Sequence, residues 1–320
     1  MESQGVSVLI PVNEFSDFFL SCLKSLNTVS SHKLEIICVV DREWEEFKLS
    51  KSREILANSI HVLIFVQNMQ PGLSNALNIG ILACTNELIC RLDADDEILS
   101  ERISLQVNYL SLNPHVVAVG GQVEFIDELG NLIPGLIHLY PIGRENVEAG
   151  LKDECCLSHP TVMFRKSSIL MIGGYSPKFL ASEDYDLWLR VIETFHIDNL
   201  PNTVIRYRIH ALQSSAAKEK VFLYTIAARL LSIDRSYSHI FQSGDLSDLA
   251  SWIEGASLEL LSTQEFCLQY LELSILYIRD KQFKKAMPSL FTAFKKSFFY
   301  TAKALVKRSQ LWLFRIFHFK

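Results

Sequence analysis

The chain is poor in residues that interrupt a fold. Of its 320 residues only 13 are Gly and 9 are Pro, which excludes collagen-like and low-complexity states. Charged residues make up 21% against 49% hydrophobic ones, too apolar a balance for a disordered chain. No run of about 18 apolar residues occurs, so no transmembrane helix is expected. The start, M-E-S-Q-G, has no basic segment ahead of a short first apolar run, V-S-V-L-I-P-V, so no secretory signal is expected. The seven Cys (22, 38, 84, 90, 155, 156 and 267) are odd in number, and no pair has metal-finger spacing. Several sit in apolar runs such as I-I-C-V-V, and they read as buried thiols of a reducing compartment. An excess of positive charge is also missing. The net charge is −5, so no nucleic-acid partner is expected. The balance is uneven, however. Residues 281–320 hold ten Lys/Arg and no acid, which leaves 21 basic against 36 acidic residues in the first 280.

What the chain does have is an alternation of buried strands and helices. Residues 6–12 and 34–41 are short, β-branched-rich apolar runs suited to buried strands, and 60–66 and 87–92 read as a third and a fourth strand. Between them, residues 16–29 (Phe18, Phe19, Cys22, Leu23, Leu26), 44–57 and 73–84 have helical character. Pro71 and Gly72 break the chain before the third helix. This β-α-β-α-β-α-β pattern predicts a mostly parallel sheet with helices on both faces. Beyond residue 100 the pattern turns to mixed α+β: a helix over 101–112, a buried run V-V-A-V-G-G, alternating Q-V-E-F-I-D, a hairpin turn at E-L-G-N, a helix over 183–195 and a strand over 197–209. From 216 onward only helices are expected. The division predicted is 1–215 and 216–320.

In parallel sheets ligands bind beyond the carboxyl ends of the strands. R-L-D-A-D-D-E places Asp93, Asp95 and Asp96 directly after the fourth strand. On extended backbone Asp93 and Asp95 share a side, and two carboxylates about 4 Å apart repel by roughly 1–4 kcal/mol. A cation between them relieves this, and all-oxygen donors suit Mg²⁺ or Mn²⁺ bridging to phosphates. The alternative is a helix N-cap at Asp95 or Asp96.

Here the sequence resembles family 2 glycosyltransferases, of the bacterial polysaccharide and lipid-glycan type, which have the GT-A fold. The resemblance rests on I-P-V-N-E (10–14), V-V-D (39–41), G-L-S-N-A-L-N-I-G-I (72–81), L-I-C-R-L-D-A-D-D-E (88–97), E-R-I-S-L-Q (101–106), V-G-G (119–121), H-P-T-V-M-F-R (159–165), G-G-Y (173–175) and S-E-D-Y-D-L-W-L-R (182–190). It implies a Rossmann-like nucleotide-binding half followed by a mixed α+β acceptor half. The implied reaction transfers a sugar, with inversion, from a nucleotide diphosphate sugar (a uridine diphosphate sugar foremost) to a glycan or lipid-linked acceptor hydroxyl. Asp93 and Asp95 match the family's D-x-D, which holds the ribose and the metal-bound diphosphate. Asp41 matches the carboxylate that accepts from the uracil ring. Pro11, Asn13 and Asn75 fall in nucleotide-sugar-binding segments. Asp184 matches the general base, with Glu183 orienting acceptor or base, and His210 a metal or diphosphate ligand. Arg91, and less directly Arg165, offer bidentate contacts to phosphate oxygens. An N-cap at 183–184 is compatible with catalysis, since a helix N-terminus favours the ionised carboxylate. D-R-E-W (41–44) departs from the family's usual second-strand loop, which lies against the nucleoside.

Two rivals remain. A sugar-phosphate nucleotidyltransferase would want a basic Gly-rich loop after the first strand, whereas I-P-V-N-E-F-S-D has neither Gly nor Lys. A catalytically inactive sugar-nucleotide-binding protein would not need Asp93, Asp95 and Asp184 together. At the far end, residues 284–320 mix basic and bulky apolar residues, as in L-V-K-R-S-Q-L-W-L-F-R-I-F-H-F-K. They read as an amphipathic helix for an anionic membrane surface, worth roughly 5 kcal/mol if half of the cations face lipid; a solvated bundle or a protein partner is the alternative. Peripheral attachment at the cytoplasmic face of the cell membrane is the location expected.

Overall fold

The computed structural model describes residues 5–41, 43–211, 218–235, 246–262, 265–266, 269–274 and 283–296. The chain divides into two compact units, Met1–Gln213 and Ser214–Lys320.

The first unit opens with β1 (Val6–Val12), α1 (Asp17–Leu26), β2 (Leu34–Val40), α2 (Glu46–Leu56), β3 (Val62–Gln67), α3 (Leu73–Ala83) and β4 (Leu88–Arg91). It continues with β5 (Glu97–Ile98), α4 (Arg102–Leu112), β6 (Val116–Ile126), α5 (Arg144–Gly150), β7 (Met163–Arg165), α6 (Lys166–Met171), α7 (Glu183–Val191) and β8 (His196–Arg208). The eight strands form one sheet in the order β3-β2-β1-β4-β7-β6-β8-β5. β1 is buried along its whole length and runs parallel to both β2 and β4, so its unbroken apolar run has helices on both sides. α1 starts where the Ser16 hydroxyl accepts from the Phe19 N–H at 3.2 Å, and it buries Phe19, Cys22, Leu23 and Leu26. Gly80 lets α3 lie close on the sheet. A Cβ there would meet Leu9 at 2.2 Å and Val39 at 2.9 Å.

The sequence pattern missed β7. It runs antiparallel to both β4 and β6 and sits as a wedge that joins the two halves of the sheet. Three residues carry no periodicity to detect, and β5 has only two. β6 is a single eleven-residue strand, uniting the buried run and the alternating run read separately above. The helix beginning at Glu183 stops at Val191, short of the expected 195.

The E-R-I-S-L-Q block performs the joining at this wedge. Arg102 is fully buried and donates from Nη2 to the carbonyls of Arg91 (2.8 Å) and Val162 (3.3 Å), and from Nε to Gln106 (3.0 Å). Gln106 in turn donates to the Val119 and Thr161 carbonyls at 2.9 and 2.7 Å. Removing the guanidinium takes the donor from the Arg91 carbonyl and from Gln106, each costing about 1–3 kcal/mol, while the Val162 carbonyl keeps the Arg91 N–H at 2.9 Å; the charge no longer buried partly offsets this. Arg102→Leu should lower stability by about 3 kcal/mol in urea unfolding. An unchanged midpoint would mean that this cross-link carries no weight.

The second unit contains helices Lys218–Ile233, Leu246–Leu260 and Phe283–Lys296. Among the described residues, no helix is long and apolar enough to cross a membrane. Most of the basic, aromatic segment 284–320 lies outside the described residues, as does Cys267. The six described cysteines are free; five are buried and Cys155 is half-buried.

Candidate active site

The carboxyl ends of β1, β2 and β4 present the polar residues that the sequence singled out. The backbone after β4 turns rather than remaining extended, with the Asp96 N–H on the Asp93 carbonyl at 3.3 Å. This turn gathers Asp93, Asp95 and Asp96 so that one ligand atom from each lies within 4.8 Å of the others. The proposed same-side geometry on extended backbone is therefore corrected: a turn brings the carboxylates together and adds the third. Helix capping does not explain them, because α4 begins at Arg102 with Glu101 as its N-cap.

Each acid in the turn has a distinct environment. Asp93 Oδ1 meets the Arg91 guanidinium at 2.5 Å, with Arg91 only 2% exposed. Burial pushes Asp93 up, while Arg91 pulls it back. Asp95 Oδ2 meets His210 Nε2 at 2.8 Å, uniting a strand-end acid with a residue just after β8. Asp96 is buried, and burial with repulsion from Asp93 and Asp95 pushes its carboxyl well up. One Asp96 oxygen accepts the Arg208 N–H at 2.8 Å, while the other has no hydrogen-bond partner. Three crowded carboxylates, one with an orphaned buried oxygen, fit a hard divalent cation bound through oxygen.

Arg208 was missed by sequence reasoning, although it fixes this turn. It donates to the Asp95 carbonyl at 2.9 Å, to Glu97 Oε1 at 2.7 Å and to the Asp127 carbonyl at 3.0 Å. Phe18, read as a core residue of the first helix, instead lies 5.0 Å from the His210 ring and beneath the Arg208 guanidinium. The pairing of β5 with β8 brings these groups together, and a two-residue strand leaves no trace in sequence. The hairpin turn expected at E-L-G-N is present, with Gly130 at φ +86° and the Asp127 N–H bonded to the Asn131 carbonyl at 2.9 Å.

A second acidic pair stands at the head of α7, where Ser182 is the N-cap but makes no side-chain cap bond. Glu183 is buried and its carboxyl is pushed up to about 7, first by burial and then by Asp184. Asp184 is half-buried, with Oδ1 accepting the Tyr185 N–H at 2.7 Å and Oδ2 3.8 Å from Cys155 Sγ. The helix N-terminus was expected to favour the ionised form of Asp184. Burial outweighs it and raises the carboxyl, although the Tyr185 N–H and Arg91 both oppose the rise. A carboxyl raised toward working pH is a better proton acceptor.

The two acidic groups share Arg91, which acts electrostatically on Asp93, Glu183 and Asp184 alike. The Arg91 Nε and Nη1 atoms are buried without hydrogen-bond partners. G-G-Y adds Tyr175, whose hydroxyl lies 2.7 Å from His159 Nε2. Burial drives His159 well down, so it is neutral. Asn78 exchanges two hydrogen bonds of 2.8 Å with the Tyr175 backbone. Gly174 must be glycine, since it has φ +68° and a Cβ would lie 2.6 Å from Asn78 Oδ1. Arg190 grips Asp186 through two nitrogens (2.9 and 2.8 Å) and donates to the Ile172 and Gly174 carbonyls.

The remaining residues are dispersed. Asp41 is exposed at the end of β2 and accepts from Asn68 Nδ2 at 2.9 Å. Pro11 is buried in β1 and Asn13 is exposed just beyond it. Asn75 donates to the Pro71 carbonyl at 2.8 Å, holding the loop before α3. Arg165 bonds the Val116 and Leu110 carbonyls and ties α4 to β6. Trp44, from the divergent D-R-E-W, is buried within 5.4–5.7 Å of the Phe15, Phe19 and Phe65 rings. It borders a cavity of about 530 Å³ with Glu43 and Gln67.

The protonation of Glu183 has a measurable consequence. Its native carboxyl holds a proton between pH 4.5, its ordinary value, and about 7, where the unfolded chain does not. Stability therefore falls as pH rises through that window and levels off above it. Glu183→Gln should stabilise the protein by about 2–3 kcal/mol at pH 8 and by almost nothing at pH 4. Thermal unfolding at the two pH values reads this, and equal shifts at both would sink the assignment.

A curled sheet of this order, with an acidic turn after its fourth strand and an acidic pair facing it, defines a glycosyltransferase of the GT-A type. The chain belongs to glycosyltransferase family 2; residues 7–170 match the family described as Glycosyl transferase family 2. It is 32% identical over 229 residues to the O-antigen biosynthesis glycosyltransferase WbnJ of Escherichia coli, covering 70% of this chain and 86% of that one. Its fold is similar to that of S. aureus TarS 1–349 in complex with UDP-GlcNAc, at TM-score 0.60 and 12% identity over 91% of this chain and 92% of that chain. It is also similar to the mannosyltransferase PcManGT of Pyrobaculum calidifontis in complex with GDP-Man and Mn²⁺, at TM-score 0.54 and 14% identity over 92% and 86% of the two chains.

Proposed function

We propose that residues 1–215 transfer a sugar, with inversion, from a nucleotide diphosphate sugar to a hydroxyl of a glycan or lipid-linked acceptor. The observation that carries this is the meeting of two acidic groups from distant parts of the chain around the buried Arg91. In this reading Asp184 takes the acceptor proton as the acceptor oxygen bonds to the anomeric carbon. The bond from that carbon to the diphosphate breaks on the opposite face, and Glu183 orients the base or acceptor. Asp93 and Arg91 position the donor. Pro11, Asn13, Asp41 and Asn75 line the path of the nucleotide, with uridine the base favoured by the match at Asp41. Asp95 and His210, with Asp96 behind them, would hold Mn²⁺ or Mg²⁺, which when bound offsets charge on the departing diphosphate. The acceptor class follows the O-antigen role in the name of WbnJ. The place of work is the inner face of the cell membrane, with residues 216–320 a helical region whose basic end, 284–320, meets anionic lipid.

The test is turnover of UDP-sugars and GDP-mannose with and without Mn²⁺. Metal-dependent release of nucleoside diphosphate is expected, fastest with a uridine donor. Release of pyrophosphate from a sugar phosphate and a nucleoside triphosphate would instead mark a nucleotidyltransferase, and no turnover with any donor would mark an inactive binder.

A further inference from the structure

One surface feature has no part in this chemistry. Residues 132–143, L-I-P-G-L-I-H-L-Y-P-I-G, contain twelve consecutive positions without Asp, Glu, Lys or Arg. They leave the end of β6 and return to its middle as a strap without regular structure. One end is fixed by the Ile133 N–H on the Phe125 carbonyl at 2.9 Å. The other is fixed by the Tyr140 N–H on Gln122 at 2.9 Å and by Asn199 on the Pro141 carbonyl at 3.0 Å. Between these anchors, Pro134 to Leu139 are all exposed. Ile137 and Leu139 are each 76% exposed, and Leu132, Leu136 and Ile142 also face water. A Cβ on Gly135 would meet nothing within 4 Å, so the strap projects instead of lining a groove.

We infer that this strap docks the acceptor side of the site onto a lipid bilayer surface. Three observations favour the interfacial layer of a bilayer over another protein. A projecting apolar segment held only at its two ends can sink into a headgroup layer that deforms around it, with no matching cleft required. Pro134 has no N–H within the exposed span, and a seat at headgroup level keeps the remaining backbone groups of this irregular segment within reach of water. The strap is also continuous with the site: Tyr140 at its base lies within electrostatic reach of Asp184 and Asp96. The flanking residues Asp127, Glu128, Arg144 and Glu145 give no net positive charge, so attachment is to neutral lipid and insensitive to salt. This separates it from any attachment through the basic segment 284–320, which needs anionic lipid and is screened by salt. The inference rests on the reading of the acceptor as lipid-linked.

The test is flotation of the full chain with phosphatidylcholine vesicles at high salt, alongside nucleotide-sugar hydrolysis in solution. Wild type should float. The triple variant Leu136→Ser, Ile137→Ser, Leu139→Ser should partition at least about tenfold more weakly, with hydrolysis unchanged. Ile137→Glu alone, at a water-facing position that no packing holds, should show the same direction. Wild type that stays free of neutral vesicles, or variants that float equally well, would overturn the inference. So would a wild-type dimer that the triple variant converts to monomer, since a second copy would then cover the strap. A wild type that floats but turns over no nucleotide sugar leaves the docking intact and removes the transferase reading instead.

Discussion

Asp184→Asn should reduce sugar transfer by about 10²–10⁴-fold while leaving donor affinity within a factor of two or three. The substitution keeps the shape of the side chain and its bond to the Tyr185 N–H, and it removes the site that accepts the acceptor proton. General-base contributions of that size are typical. The pH dependence adds a second check. Burial raises the Asp184 carboxyl above the ordinary carboxylate range, and a base works only when ionised. Activity should therefore decline on acidification at a pH higher than an exposed aspartate would give, and the Asn variant should lack that limb. Steady-state kinetics across pH, with donor binding measured by calorimetry, decide the matter. If transfer survives in Asp184→Asn, the proton goes elsewhere.

The second large effect is expected at the acidic turn. Asp95→Asn should lower turnover by at least about 10²-fold, and its separate signature is the loss of stabilisation by Mn²⁺. A ligand at 100 times its dissociation constant adds about 2.7 kcal/mol to stability, a clear upward shift in Tm for the wild type that the variant should not show. The variant should also weaken the contact of His210, whose Nε2 rests 2.8 Å from the replaced carboxylate, because a neutral amide oxygen is a poorer acceptor than the charged one. Asp184→Asn should keep the Mn²⁺ shift in full. If the Mn²⁺ shift is the same in Asp95→Asn and wild type, the ion does not bind at this turn.

The parallel half of the fold was legible because buried strands and amphipathic helices alternate with clear periodicity, and the four runs at the start of the chain correspond to β1, β2, β3 and β4. The acidic candidates were legible for a related reason: their place after a buried strand is a matter of topology as well as residue type. What could not be read depended on long-range pairing. β5 and β7 are too short to show a period, yet they bring Arg208 and His210 to Asp95 and hold β4 against β6. Phe18 obeys the helical spacing of a core residue, but α1 turns it toward Arg208. Arg165 ranks below Arg91 as sequence only because Arg91 directly precedes the acidic cluster. Only the fold shows that one caps backbone carbonyls while the other is buried among carboxylates. The balance of burial against the helix N-terminus at Asp184 was likewise invisible without coordinates.

The Arg102–Gln106 cross-link bears on how mutational surveys of this chain should be interpreted. Substitutions at these two positions will lower the score in any screen that reads product alone, in the same direction as losing the base would. They lie in a strongly recognisable block and would be mistaken for reactive groups. Separating the two classes requires soluble yield to be scored beside product: loss of the cross-link depletes the folded population, whereas loss of Asp184 leaves a normal amount of well-folded, silent protein.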